Sequence, residues 1–236
     1  MPEGDGSFLP YNWEDSTEAI DVYLNYGFLD LMRKATAKHG VYYLVPISVA
    51  TTGLVTKKPV YKCQDLKGMK IRAAGMEGLV VQALGALPVS IPGAEQYVAL
   101  QRGTVDGTYY PWYTIEDYKL FEVIDYVILP ATHTPAVVDL LIGKKVWDKL
   151  SSDNKKALDR AGMETMWRSF LYGEVKDKRA EVFCKEKGIK FIKLPPEEHK
   201  HFKEAAMKVY ESHAKRSDLC ARQVEIIKKY WKEKGR

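Results

Sequence analysis

Long apolar runs are absent from the 236-residue chain, and no stretch reaches the ~18 consecutive apolar residues that a membrane-spanning helix requires. Met1-Pro2-Glu3-Gly4-Asp5 has neither a basic start nor an apolar core, so no secretory leader is expected there. Cysteine is scarce. Cys63, Cys184 and Cys220 are odd in number and widely spaced, which excludes a full disulfide framework and gives no zinc pattern. They read as thiols, with one pair left open. Of the five histidines, His199 and His201 stand two apart, a spacing that points them away from each other on a helix, so no metal pair is expected. Neither sign of charge dominates, since 36 basic residues face 31 acidic ones for a net +5. The basic end at Lys228, Lys229, Lys232 and Lys234 lacks interleaved stacking aromatics, which argues against a nucleic-acid partner and suits a helix C-terminus. Internal repeats, paired catalytic carboxylates, an activated nucleophile and a phosphate-binding glycine loop are also missing.

What is present concentrates between Asp65 and Trp112. Lys67-Gly68 is a turn, and Met69 to Ala73 alternates apolar with basic residues before Gly75, as a short half-buried strand does. Arg72 then falls at its C-terminal end. Glu77 to Leu84 has helical apolar spacing closed by Gly85, and Pro88 to Pro92 is a second strand. A short helix over Glu95–Arg102 and a third strand over Thr104–Tyr110 complete a β-α-β-α-β order. That order predicts an α/β fold with a mostly parallel sheet, which binds ligands at its C-terminal strand edges. Arg72 and the run Tyr109 to Trp112 both lie at such edges.

A planar guanidinium matches a carboxylate through two parallel hydrogen bonds and stays charged at physiological pH. Tyr109, Tyr110 and Trp112 could wall a pocket while offering hydroxyl or indole N–H groups. By alternation alone, Arg72 reads first as a solvated strand-end arginine, and each aromatic equally as core. Gly40 to Lys58 reads as a buried strand followed by a Ser/Thr-rich crossing that offers Ser48, Thr51 and Thr52. Those hydroxyls could equally cap turns. Asp106 could serve acid–base chemistry but suits a turn better in Val105-Asp106-Gly107.

Three blocks in order, DLKGMKIR, EQYVALQRGTVDG and VVDLLIGKKVWDKLSSDNKKAL, carry a resemblance to the periplasmic solute receptors of tripartite ATP-independent periplasmic (TRAP) transporters, the DctP-like family. The resemblance runs from about Glu14 to the C-terminus. It implies a two-lobed protein that closes over a small carboxylate, hands it to membrane permease subunits, and performs no chemistry. The anchoring arginine of the family maps onto Arg72. Tyr110 matches a position that often touches ligand, and Tyr109, Trp112, Thr52 and Gly75 are expected in the same ligand site. Thr108-Tyr109-Tyr110 carries no carboxylate of the kind that assists a metal in some subgroups, so no metal or cofactor is expected. The crossing segment offers no second arginine, which favours a monocarboxylate over a dicarboxylate. A periplasmic location rests wholly on the resemblance.

The expected plan is a two-lobed periplasmic-binding-protein-like fold with a long spine helix: residues 1–49 in lobe 1, 50–137 forming lobe 2 with the ligand anchor, 138–177 returning to lobe 1 and starting the spine, and 178–236 packing mainly on lobe 2. Ser151-Ser152-Asp153 supplies capping chemistry for a spine that runs to about Lys187, then a strand over Ile189–Ile192 and helices over 197–215 and 219–234. The family's opening βαβαβ stretch has no counterpart in the sequence. The first lobe is therefore expected to be incomplete, to expose apolar strand edges, and to self-associate or use a second polypeptide. A receptor scaffold that serves interaction or sensing without ligand is the alternative function, and a small-molecule enzyme is a weaker one.

Overall fold

The computed structural model describes all residues 1–236. A 3₁₀ segment over Pro2–Phe8 leads to α1 (Ser16–Asn25), α2 (Phe28–Ala37), β1 (Val41–Ser48) and β2 (Thr52–Thr56). Then follow β3 (Lys70–Arg72), α3 (Met76–Ala83), β4 (Leu87–Val89), α4 (Gln96–Gln101), β5 (Gly107–Pro111), α5 (Thr114–Asp117) and β6 (Tyr126–Leu129). The chain ends with β7 (Val137–Gly143), α6 (Lys144–Lys149), α7 (Ser152–Glu186), β8 (Lys190–Lys193), α8 (Pro196–Ala214) and α9 (Asp218–Glu233).

Two sheets form. β1 and β7 make an antiparallel pair, and six strands run in the order β4-β3-β5-β2-β6-β8. In the larger sheet β3 is parallel to β4 and β5, and β6 to β8, while β2 is antiparallel to both its neighbours. The sheet is mostly parallel, as predicted, but β2 was not anticipated: the stretch read as a crossing segment becomes a central strand after only three connecting residues. Those residues, the return from β6 to β7 and the later passage through α7 to β8 carry the chain between the sheets. One apolar cluster joins Trp13, Tyr23, Phe28 and Tyr43 beside the small sheet to Ile71, Val80 and Phe202 beside the large one.

The spine matches its expected span. Ser151 caps it by accepting from the amide of Asn154 (3.2 Å). At ~1.5 Å per residue, its 35 residues reach from β1 to the far end of the larger sheet, where Cys184 packs with Ile189 and Val127. Close contact with the first sheet requires a missing side chain: a Cβ on Gly173 would stand 2.7 Å from Ser48 Oγ. Residues 178–236 depart from the expected plan. α8 does pack on α3, but α9 lies against α1, α2 and the N-terminal 3₁₀ segment, because its apolar stripe is anchored by Trp231 Nε1 donating to Asn12 O (2.9 Å) and Gln223 Nε2 donating to Glu3 O (2.8 Å).

Candidate functional site

β3 is three residues long, and alternation fixes its orientation: Ile71 enters the core fully while Arg72 ends the strand. Because β3, β4 and β5 are parallel, their C-terminal ends share one edge. The chain then turns at Gly75, whose φ of +54° with ψ of −127° suits only glycine. That turn starts α3 and sets Glu77 in its first turn, where Glu77 Oε2 accepts from the amide of Ala74 (3.2 Å).

Arg72 is 6% exposed. Its Nε donates to Ile91 O (2.9 Å) and its Nη1 to Glu77 Oε2 (3.3 Å), with a longer contact to Tyr109 O (3.5 Å). The guanidinium carbon lies 4.6 Å from the centre of the Tyr110 ring. Nη2 donates to no protein acceptor. Backbone, carboxylate and ring therefore hold the guanidinium in one pose and leave one arm of its fork available.

Arg72 lines a cavity of about 430 Å³. One wall comes from the large sheet, with Arg72, Ala74, Gly75, Met76, Glu77 and Tyr110; the other comes from Gly4, Asp5 and Phe8 of the 3₁₀ segment and Val137, Val138 and Asp139 of β7. The cavity thus lies where the two sheets face each other. Burial pushes the Glu77 carboxyl up to about 7, against the opposing pull of the Ala74 amide and Arg72. Burial likewise raises Asp139 to about 6, although the hydroxyls of Ser7 (2.8 Å) and Tyr43 (2.9 Å) donate to its Oδ1. Asp5 is paired with Arg216.

Of the predicted site residues, Arg72, Gly75 and Tyr110 come together. Tyr109, Trp112 and Thr52 do not join them. Tyr109 faces away from Tyr110 by strand alternation and is fully buried. Its hydroxyl donates to His133 Nδ1 (2.5 Å), and His133 Nε2 donates to Phe8 O (3.2 Å), a tautomer assigned from these partners. Burial pushes His133 down to about 3. Trp112 should share the face of Tyr110, but β5 ends at Pro111 and the backbone turns into α5. Its ring meets Phe191 edge-on (6.2 Å) and lines a separate groove with Thr51, Glu174 and Asp177. Thr52 is fully buried in β2 opposite Pro111. Ser48 and Thr51 serve the backbone and the spine: Ser48 Oγ accepts from Ala50 N (3.1 Å), and Thr51 donates through N and Oγ1 to Asp177. Asp106 accepts from Lys70 N (2.9 Å), the structural role expected of it.

Glu77, Asp139 and Phe8 were not anticipated. Asp139 carried a signal, being the one acid within the apolar strand Val137–Gly143. Phe8 carried none, since only the tertiary fold brings the N-terminal segment to β3.

A family profile described as bacterial extracellular solute-binding protein, family 7 (DctP), matches residues 2–217. The chain is 25% identical over 215 residues to the ectoine/5-hydroxyectoine-binding periplasmic protein UehA of Ruegeria pomeroyi, covering 89% of this chain and 63% of that one. It is 27% identical over 213 residues to the C4-dicarboxylate-binding periplasmic protein DctP of Vibrio cholerae, covering 88% and 62%. The chain thus spans less than two thirds of the length of these relatives. The periplasmic ectoine-binding protein of the TeaABC TRAP transporter of Halomonas elongata superposes with a TM-score of 0.89 at 20% identity, over 98% of this chain and 77% of that one. At that identity the likeness speaks for the fold alone.

Proposed function

The chain belongs to the DctP family of bacterial extracellular solute-binding proteins, and from that membership we propose that it captures a small organic acid in the cavity between its sheets, as the receptor of a TRAP-type transporter. Arg72 takes the carboxylate on its available Nη2, with Nη1 as the second arm once Glu77 yields. Tyr110 backs the guanidinium, and the Gly75 turn lets the ligand approach the backbone closely. Residues 50–137 form the lobe that carries this anchor. Binding, without turnover, is the activity; delivery to membrane permease subunits and a periplasmic location follow from the same proposal. The observation that carries it is an arginine only 6% exposed that keeps one guanidinium nitrogen without a protein partner and lines a cavity of about 430 Å³, a size ordinary for small-ligand sites. Relatives named for ectoine and for C4-dicarboxylates show that one scaffold serves different ligands, so no single acid is carried over.

Thermal shift across a panel of organic acids tests the proposal. A binder at 100 times its Kd should stabilise the fold by about 2.7 kcal/mol, and Arg72→Ala should abolish the shift. One observation favours a second reading, a scaffold that binds no acid: Glu77 already occupies part of the fork. A flat response to every acid, with Glu77→Gln no more responsive, would establish that reading instead.

A further inference from the structure

Three carboxylates and one guanidinium line the Arg72 cavity, an odd balance for a seat that takes only an anion. Two of the acids are answered within the protein. Asp5 pairs with Arg216, which lies outside the cavity lining, and Glu77 pairs with Arg72 itself (3.3 Å). Asp139 has no cationic partner. Its Oδ1 accepts from the hydroxyls of Ser7 and Tyr43, while Oδ2 accepts from no protein group. It stands on β7, on the wall opposite Arg72, so the cavity has a cationic end and an anionic end separated by its width. An incoming simple carboxylate would meet an arginine already shared with Glu77 and would face Asp139 uncompensated. A buried or half-buried carboxylate needs a counter-charge or full hydrogen bonding.

We infer that the ligand is a zwitterion, a small acid carrying a cationic nitrogen in the same molecule, with its carboxylate on Arg72 and its ammonium or amidinium group on Asp139. The inference rests on the proposed capture of an organic acid by Arg72 and narrows its ligand class. Specificity then comes from a charge pattern: Arg72 accepts any carboxylate, and Asp139 discriminates against a second negative charge at the far end. Phe8, Met76 and Val137 line the same cavity and suit a short hydrocarbon spacer.

The test uses the unmodified chain and three probe sets matched in length: ω-amino acids with betaines, monocarboxylates of the same carbon count, and dicarboxylates. Calorimetry should show zwitterions binding at least tenfold tighter than either matched anion. Asp139→Asn, which keeps an acceptor for Ser7 and Tyr43, should erase that preference and improve the dicarboxylates, while circular dichroism and the melting midpoint report that the variant is folded. A dicarboxylate that binds tighter than its matched zwitterion, with binding lost in Arg72→Ala, overturns the zwitterion and leaves acid capture standing. Zwitterion binding unaffected by Asp139→Asn also overturns it. No response to any of the three sets counts against both readings.

Discussion

Glu77 sits where its own charge is least welcome, enclosed beside an arginine that it only partly neutralises. Its folded pKa of about 7 lies above the ordinary carboxylate value. The fold therefore binds that proton more tightly than the unfolded chain does, and stability falls as pH rises from about 4.5 through 7. Asp139 and Asp177, each raised to about 6, contribute with the same sign. His133 acts oppositely: depressed to about 3, it withdraws stability as pH falls below 6.5. Replacing Glu77 by Gln keeps an acceptor for the Ala74 amide and Arg72 while removing the charge. Glu77→Gln should match the parent near pH 4.5 and exceed it by on the order of 2 kcal/mol at pH 8. Urea midpoints at both values decide this; a difference that stays constant with pH would mean that Glu77 titrates alike in both states.

Among the elements, the spine and the β1–β2 crossing are tied through one side chain. Asp177 accepts from Thr51 N (3.0 and 3.1 Å) and from Thr51 Oγ1 (2.6 Å), holding the three-residue link between the sheets against α7. Asp177→Ala leaves a buried amide and hydroxyl without an acceptor and should destabilise by roughly 1–3 kcal/mol. Asp177→Asn, which retains one acceptor oxygen, should lose less, and amide exchange at Thr51 should quicken in the alanine variant ahead of the strand interiors. Exchange at Thr51 that follows global unfolding in both proteins would show that the tie is redundant.

Elements with strong periodicity or caps were readable from the chain: the Ser151-capped spine, the Arg72 strand, and the two terminal helices fell within a residue or two of their observed bounds. β2 escaped because Thr52–Thr56 is buried on both faces and so lacks alternation. Arg72 and Tyr110 were legible because strand ends in a parallel sheet converge. Tyr109 was misplaced by treating three neighbouring aromatics as one wall, although period-two geometry sends alternate residues to opposite faces. The Phe8 and Asp139 wall depends on contacts more than 60 positions from Arg72 in sequence, which no local pattern encodes.

At the scale of the whole molecule, two features of the spine and small sheet bear on association. β1 and β7 pair only with each other, and while Arg33 and Ser169 take up backbone groups of Tyr43, Leu44 and Ser48 on β1, β7 has no second strand beside it. Along α7, Trp167, Leu171 and Val182 recur on one face and are 51%, 70% and 58% exposed. The self-association expected from the sequence would place a second copy of the chain on this face. The net charge of +5 opposes two copies meeting, whereas an apolar contact gains from salt, so association should strengthen as ionic strength rises and screening shortens the Debye length to about 10 Å at 0.1 M. Sedimentation velocity at micromolar concentration should show a dimer that grows with salt. Leu171→Glu, an exposed helix position whose change should alter stability by no more than about 0.5 kcal/mol, should shift it to monomer, and Val98→Glu on α4 should not. A parent that stays monomeric at every salt concentration removes the second copy as the occupant, and a dimer indifferent to Leu171→Glu moves the contact away from the spine.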